Sequence, residues 1–369
     1  MYTALGLMSG TSMDGIDIAL MKSDGKHMLD FGPTDFLAYS QDFRSRLAEA
    51  MSTCRALPTE ALFSSHFTEL EAELTQLHVD AVLQFLKGHD LEPQDIDVIG
   101  FHGQTLIHRP DEQFTWQIGE GAMLAHKTGV KVVNDFRSAD MTQGGEGAPL
   151  APIYHEALVA YHNIERPTLM LNLGGVGNVT YIGNDGQLIA FDTGPANALI
   201  DDWVQQKTGE THDMGGKLAR KGVVDEAYVN ELLTHPYFQK PVPKSLDRND
   251  FQFEFSNKMS VEDGAATLTA FTVDSVKSAF KYFPDRPKQI IVMGGGRHNK
   301  TMMDMLETRL SMPTRSCDDL GMNGDAVEAQ AFAYMAIRRL LDLPISFPGT
   351  TGVKKEITGG VIHTAGNSV

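Results

Sequence analysis

Two glycine turns, each between two short apolar segments, lie about half a chain length apart in this sequence. In the first, residues 4–8 predict a strand, residues 9–15 a tight turn and residues 16–21 a returning strand. The second repeats this order around Gly174 and Gly175, 164 residues after Gly10. Glycine lets main-chain N–H groups approach an anion closely, so each turn is a candidate phosphate cradle. An ordinary surface hairpin is the alternative for one turn, whereas the repeat favours two similar domains that face each other across a nucleotide cleft.

A third glycine cluster, Gly294–Gly296, follows a predicted strand at 289–293 and precedes helical apolar spacing over 297–310. Backbone without side chains offers a flat surface for a nucleotide ring. Two familiar phosphate motifs are absent. The P-loop motif does not occur, and Gly175 and Gly177 lack the third glycine of the dinucleotide fingerprint. The pattern therefore predicts a different nucleotide-binding fold.

Composition restricts the partners. The net charge of −17, from 48 acidic and 31 basic residues, argues against a nucleic-acid partner, because phosphate neutralisation dominates that affinity. Cys54 and Cys317 are too few for a disulfide framework or a cysteine zinc site, which indicates a reducing compartment. No leader pattern and no run near the roughly 20 apolar residues of a membrane span are present, so we expect a cytoplasmic protein without membrane contact. The sequence is compatible with a homodimer.

Polar side chains follow several predicted strands of the first half. Apolar periodicity predicts helices over 41–51 and 60–87, and buried strands over 97–101, 114–118 and 131–134. Residues just beyond strand ends lie where ligands bind in open α/β sheets. The polar residues at or near these ends are His102, Gln104, Thr105, Gln117, Asp135 and Arg137.

In the second half, a predicted strand over 187–191 leads into Asp192, and a helix is predicted over 198–206. A carboxylate at that point is a candidate catalytic base, a metal ligand or an ordinary helix cap. Glu328 opens a further predicted helix over 325–341, where a carboxylate also favours the helix N-terminus.

Six segments in order make the chain similar to one family. It resembles the anhydro-N-acetylmuramic acid kinases, bacterial sugar kinases of cell-wall recycling in the superfamily of sugar kinases, heat-shock ATPases and actin. The segments that carry the resemblance are Gly6–Asp17, Phe101–Thr105, Asn134–Arg137, Leu171–Gly175, Phe191–Pro195 and Gly324–Ala329.

The resemblance implies an α/β fold of two actin-like (ribonuclease H-like) domains with an ATP and sugar cleft between them. We expect the first domain to comprise 1–138 plus about 345–369, and the second 139–344. The implied reaction converts 1,6-anhydro-N-acetylmuramic acid, ATP and water into N-acetylmuramic acid 6-phosphate and ADP.

The resemblance also implies roles for individual residues, with Asp192 as the general base that activates water. We assign Gly294, Gly295 and Gly296 to adenosine. The phosphate-side residues are Gly10, Thr11, Ser12, Met13, Asp14, Gly15, Ile16 and Asp17 in the first turn, and Gly174, Gly175 and Asn178 in the second. We expect Mg²⁺ to be held largely by phosphate and water, with Asp14, Asp17 or Asp192 nearby.

The sugar candidates are His102, Gln104, Thr105, Gln117, Asp135, Arg137 and Glu328. Arg137 suits a bidentate pair with the lactyl carboxylate, and an internal ion pair with Asp135 or Asp140 is the alternative. Two other functions compete with the ring-opening kinase. They are an ordinary sugar kinase without ring opening and a non-enzymatic ATP-driven switch protein.

Overall fold

The structure is a computed structural model, and it describes residues 1–10, 12–62, 67–246, 251 and 259–366. Elements are numbered along the chain. The strands are β1 Tyr2–Met8, β2 Gly15–Ser23, β3 Leu29–Ala38, β4 Val98–Phe101, β5 Gln104–Arg109, β6 Phe114–Ile118, β7 Val132–Asn134, β8 Thr168–Leu173, β9 Val176–Ile182, β10 Leu188–Pro195, β11 Gln289–Met293, β12 Thr314–Ser316 and β13 Val361–His363. The α-helices are α1 Gln41–Ala56, α2 Thr59–Leu62, α3 Thr68–Gly88, α4 Gly121–Thr128, α5 Ser138–Met141, α6 Pro152–Tyr161, α7 Asn197–Thr208, α8 Glu226–Leu232, α9 Val261–Ala279, α10 Lys300–Leu310, α11 Val327–Leu340 and α12 Pro348–Thr351.

The chain divides into two compact units. Unit 1 comprises Met1–Tyr161 with Asp325–Val369, and unit 2 comprises His162–Gly324. Each unit is built on its own mixed sheet and its own apolar core. The predicted α/β class is confirmed.

The two sheets repeat one strand order. In unit 1, β1, β2 and β3 form an antiparallel meander, and β4 and then β7 add to β1 in parallel, with β13 at the far edge. In unit 2, β8, β9 and β10 form the meander, and β11 and β12 add in parallel. This is the ribonuclease H-like order expected from the sequence. In both units the glycine turn joins the first two strands of the meander.

The unit boundaries differ from those expected, which were 138/139 and 344/345. Residues 139–161 and 325–344 lie in unit 1. Buried hydrogen bonds account for this. Asp140 accepts from Ser346 and Thr351, and Arg338 donates to the Gly25 carbonyl.

Helix α11 lies directly on the backbone of two strands. Gly6 on β1 pairs with Gly100 on β4. A Cβ at Gly6 would lie 1.7 Å from the carbonyl oxygen of Ala329, and one at Gly100 would lie 2.1 Å from that of Phe332. Two neighbouring glycines thus form a flat surface that admits a helix backbone at this distance. Gly6 therefore serves packing, although it begins the motif of the first turn.

Local sequence signals set most element ends. Ser40 caps α1 by accepting from the Phe43 N–H, and Ser260 caps α9 by accepting from the Asp263 N–H. The predicted helix over 60–87 was wrong in its continuity, because α2 ends at Leu62 and α3 begins at Thr68. Residues 63–66 lie outside the described part of the chain.

We expect Gly6→Ala to lower the free energy of unfolding by about 3 kcal/mol or more, because the new methyl group would displace the α11 backbone. Chemical unfolding followed by circular dichroism measures this. Gly88→Ala is the matched control, since nothing lies within 4 Å of its Cβ position, and it should leave stability unchanged or slightly raised. Equal stability of the two variants would contradict the packing.

Candidate active site

The first glycine turn connects β1 and β2 and is closed by its own backbone. The Met13 N–H donates to the Gly10 carbonyl at 3.1 Å, and Met13 adopts a left-handed φ of 53°. The Ser12 hydroxyl donates to Asp14 at 2.5 Å. Thr11, also expected near phosphate, lies outside the described residues.

A network of buried side-chain hydrogen bonds holds this turn in place. Ser9 donates to the Gln104 side-chain oxygen at 2.7 Å and lies 2.8 Å from the Tyr39 hydroxyl. The Gln104 amide nitrogen donates to the Gly10 carbonyl at 3.2 Å. Gln104, a sugar candidate, therefore ties β5 to the glycine turn. The sequence did not indicate Ser9 and Tyr39 as site residues.

Packing within unit 1 explains the residue types at two of the predicted phosphate positions, Gly15 and Ile16. A Cβ at Gly15 would lie 2.3 Å from the Leu37 carbonyl oxygen on β3. Ile16 is fully buried in the core of unit 1. Their positions are explained without a ligand.

Carboxylates gather where β2 begins. Burial, then Asp14, Glu328 and Asp325, raise the pKa of Asp17 to about 7. Burial also raises the pKa of Glu328, whereas Arg137 lowers it. Glu328 is nevertheless exposed to solvent, so hydration of its carboxylate reduces the increase in its pKa. A perturbed carboxyl group of this kind is frequent at functional sites.

Three of the sugar candidates line one cavity within unit 1. His102, Gln117 and Asp135 line a space of ≈ 250 Å³, together with Trp116. The Gln117 amide nitrogen donates to Thr105 and to Thr115, so Thr105 is held beside the cavity wall. Polar groups beside an indole ring suit a small polar ring compound.

His102, which lines this cavity, forms a polar pair with Arg137. The Arg137 Nη2 lies 3.0 Å from His102 Nε2, and Arg137 Nη1 donates to the Gly147 carbonyl at 2.9 Å. Arginine only donates, so Nε2 accepts and the histidine proton resides on Nδ1. Burial and then Arg137 lower the pKa of His102 to about 3, which keeps the ring neutral. The pKa of Arg137, lowered by burial to about 10, leaves it charged.

Arg137 does not form the internal ion pair that was the alternative. The Asp135 carboxylate accepts from the Ser138 N–H and hydroxyl, and Asp140 accepts from Gly147 and from two hydroxyl groups. In the described part of unit 1, Arg137 Nε and His102 Nδ1 are buried and form no well-aligned hydrogen bond. The Arg137 Nε–H therefore has no acceptor among these residues, whereas the backbone of Gly103 and Ser9 lies close enough to His102 to raise its pKa.

The second glycine turn of unit 2 is attached to the start of α7. The Gly174 carbonyl accepts from the Asn197 N–H at 3.0 Å, and the Gly175 carbonyl accepts from the Ala196 N–H at 2.9 Å. Beyond the turn, Asn178 on β9 pairs directly with Asp192 on β10. The predicted phosphate turn and the predicted base are thus neighbours in one sheet.

The third glycine cluster adjoins the second turn. A Cβ at Gly294 would meet Asn172, and one at Gly296 would meet Leu173, both at the end of β8. A 3₁₀ helix spans Gly295–His298, and α10 begins only at Lys300, so the helix predicted from 297 is shorter. Arg297 was not among the predicted site residues. It is buried and donates to Asp318 at 2.9 Å.

At four of these glycines, neither steric crowding by the described residues nor the backbone conformation requires glycine. A Cβ at Gly10, Gly174, Gly175 or Gly295 would meet protein atoms no closer than 3.6 Å, and none of the four has a positive φ. The space beside them is open. A ligand that approaches the backbone closely supplies the missing reason.

Asp192 is held by the segment that contains Lys244. Its carboxylate accepts from the Leu246 N–H at 2.8 Å, and its own N–H donates to the Lys244 carbonyl at 3.0 Å. The Tyr237 hydroxyl donates to the Asp192 carbonyl. The predicted helix-cap alternative is not observed, because the Asp192 side chain bonds to this segment and α7 begins at Asn197.

The described residues contain neither a cluster of metal ligands nor a helix that could span a membrane. No three His, Cys, Asp or Glu side chains of the described residues converge into a metal site. None of the helices in the described ranges combines the length and apolar content needed to cross a bilayer.

The repeated strand order, with a glycine turn in each repeat, defines an α/β protein with two actin-like units. A family model for "Anhydro-N-acetylmuramic acid kinase" matches residues 2–365. Proteins of that name from Zymomonas mobilis and Rhizorhabdus wittichii are each 50% identical, over 98% of this chain and 99% and 98% of their own lengths. Among solved structures, component A of Acidaminococcus fermentans (R)-2-hydroxyglutaryl-CoA dehydratase aligns over 92% of this chain and all of that one, at 11% identity and a TM-score of 0.48.

The chain belongs to the anhydro-N-acetylmuramic acid kinase family. The resemblance seen in six sequence segments is thereby confirmed, and with it a kinase that takes its phosphoryl group from ATP.

We expect Asp17→Asn to stabilise the ligand-free protein at pH 8 by roughly 1 kcal/mol, after allowance for solvent screening. A raised carboxyl pKa means that the folded state prefers the protonated form, so the charged form destabilises it above pH 7. The gain should shrink as the pH falls from 7 towards 4, and it should vanish below pH 4, where Asp17 is protonated in both states. Urea unfolding at several pH values measures this, and a gain independent of pH would contradict the assignment.

Proposed function

We propose that this chain opens the 1,6-anhydro ring of 1,6-anhydro-N-acetylmuramic acid with water and transfers the ATP γ-phosphoryl group to O6. The products are N-acetylmuramic acid 6-phosphate and ADP, within cell-wall recycling. Family membership over almost the whole chain is the observation that carries this proposal.

One carboxylate is sufficient for the ring opening. Cleavage of a glycosidic bond normally uses an acid for the leaving oxygen and a base for water. Here the leaving oxygen is O6, and it takes the phosphoryl group in place of a proton. The water oxygen bonds to C1 as the C1–O6 bond breaks. O6 bonds to the γ-phosphorus as ADP leaves, and the water proton passes to the base.

We assign the base to Asp192. It ends the regular pairing of β10, because the register shifts between Asp192 and Gly194. Backbone groups on both sides fix it, through Leu246 and Lys244. A base held in this way needs little reorganisation when water is deprotonated. Attack from the face opposite O6 inverts C1.

We assign the open glycines to the nucleotide. Gly10 and the turn through Asp17 suit the γ-phosphate, Gly174, Gly175 and Asn178 the other phosphates, and Gly294–Gly296 adenosine. The vacant Cβ positions of Gly10, Gly174, Gly175 and Gly295 support this. Asp14 and Asp17 are hard oxygen donors that fit Mg²⁺, and bound Mg²⁺ would neutralise phosphate charge.

We assign the sugar to the cavity of unit 1. Arg137 is a charged guanidinium whose hydrogen bonds within the described residues go to Gly147 and His102, so it suits the lactyl carboxylate. His102, Gln117 and Asp135 offer directed hydrogen bonds, whereas Gln104 serves the first glycine turn. Glu328 lies close enough to influence the pKa values of Asp17 and Arg137, between nucleotide and sugar residues.

We infer a cytoplasmic enzyme, because ATP is its phosphoryl donor and both cysteines are buried free thiols. Light scattering of the purified chain decides between a monomer and the homodimer left open by the sequence.

The central test is sugar-dependent release of ADP by the wild-type chain. With 1,6-anhydro-N-acetylmuramic acid in H₂¹⁸O, we expect one ¹⁸O at C1 of the 6-phosphate product. Asp192→Asn should lower kcat by about 10²–10⁴-fold while ATP still binds, because only the water-activating group is lost.

The outcomes separate the competing functions. Phosphorylation without ¹⁸O incorporation through catalysis would indicate an ordinary sugar kinase. ATP binding without sugar-dependent ADP release would indicate a switch protein. Full activity of Asp192→Asn would remove Asp192 from its role.

Arg137→Met should raise KM for 1,6-anhydro-N-acetylmuramic acid by about 10–100-fold, because the ion pair with the lactyl carboxylate is lost. With 1,6-anhydro-N-acetylglucosamine, which lacks the lactyl group, wild type and variant should have similar KM. Arg137→Lys keeps the charge without the fork and should lie between them. An equal loss with both sugars would contradict the assignment.

A further inference from the structure

A buried lysine in unit 2 is surrounded by aromatic rings. Lys244 is only 6% exposed. Its ammonium nitrogen lies 4.4 Å from the ring centre of Tyr237 and 5.4 Å from that of Tyr282. Phe191 and Phe238 follow at 6.0 Å each. We call these four rings the aromatic cage.

The ammonium group is held without a carboxylate partner within the described ranges. Its one hydrogen bond goes to the Tyr237 carbonyl at 3.0 Å. Burial, then Lys281 and Lys240, lower the pKa of Lys244 to about 8, and the Asp192 charge counteracts this. Cation–π contacts offset part of the cost of burial. An apolar residue of similar length would avoid that cost altogether.

The caged lysine is joined to Asp192 by several short connections. The Lys244 carbonyl accepts from the Asp192 N–H, and two residues later the Leu246 N–H donates to the Asp192 carboxylate. Tyr237, which contacts the ammonium through its ring and its carbonyl, donates its hydroxyl to the Asp192 carbonyl. Phe191 of the cage immediately precedes Asp192. Lys244, Tyr237 and Phe191 of the cage thus each connect directly to Asp192 or to the segment that holds it.

We propose that Lys244 is a positioning residue for the Asp192 carboxylate. Its caged ammonium fixes the segment 244–246 and Tyr237 against β10, so that the Leu246 N–H orients the carboxylate towards the attacking water. This inference rests on the proposed role of Asp192 as base. Displacing a catalytic group by about 1 Å can cost about 10²-fold in rate, so such an anchor has a measurable value.

A purely structural lysine predicts the opposite pattern in a variant. If Lys244 only stabilised the fold, Lys244→Met would lower Tm and affect kcat little in the protein that remains folded. If Lys244 positions Asp192, the methionine should fill the cage and leave Tm unchanged or higher, while the segment loses its anchor. Stability and activity then change in different directions.

The test uses the full chain with ATP and 1,6-anhydro-N-acetylmuramic acid. We expect Lys244→Met to lower kcat at least about tenfold, with KM for ATP within twofold of wild type and Tm not reduced. Lys244→Arg keeps a cation in the cage and should recover part of kcat. Lys240→Met is the matched control, because Lys240 is exposed and lies 5.9 Å from the Tyr237 ring. It should behave as wild type.

Two results would overturn the inference. One is a kcat of Lys244→Met within twofold of wild type while Asp192→Asn is inactive, which leaves the proposed function intact. The other is full activity of Asp192→Asn, which removes the base and the inference together. If Lys244→Met does not fold, Tyr237→Phe decides, since it removes only the hydroxyl on Asp192: we expect a lower kcat in the protein that remains folded, and an unchanged kcat would overturn the inference.

Discussion

The contact of helix α11 with the paired glycines of β1 and β4 fixes most of unit 1. Gly6 and Gly100 let the helix backbone lie on the sheet, where any larger side chain would hold it away. The same contact sets the first turn of α11, which carries Glu328, near Asp17 and Arg137. A packing constraint thus determines which charges meet.

The two glycine turns share a backbone plan but differ in what supports them. The first rests on side chains, because Ser9, Tyr39 and Gln104 form a buried network below it. The second is held mainly through its own carbonyls, which accept from the Ala196 and Asn197 N–H groups, while the Thr193 hydroxyl and the Asn197 amide donate to carbonyls on either side of the turn. Backbone support tolerates sequence change better than a network in which each polar side chain must be satisfied.

Much of the fold could be predicted because its signals are local. Apolar runs bounded by glycine predicted β11 at its observed bounds, and the helix predicted over 325–341 is observed as α11. The unit boundaries were not accessible, since they depend on contacts such as those of Asp140 with Ser346 and Thr351, about two hundred residues away. Strand β3 and helix α9 were not predicted, although Ser260 is an ordinary cap.

The site was partly predictable for the same reason. Glycines and strand-end polar residues are visible in sequence, and they made Asp192, Arg137 and His102 candidates whose roles stay predictions. Lys244 and its cage were not visible, because Phe191, Tyr237 and Tyr282 come from distant segments and mark nothing until the chain has folded. Gln104 was predicted to lie beyond a strand end, whereas it begins β5, and only its hydrogen bonds show that it serves the glycine turn.

The neutral His102 beside the charged Arg137 gives the cavity of unit 1 a constant polarity. The histidine gains its proton only near pH 3, and the arginine loses its own only near pH 10. Between these limits the pair carries one positive charge. A change of a unit or two around neutral pH therefore leaves this charge the same, so any pH dependence of ligand binding there would arise from other groups.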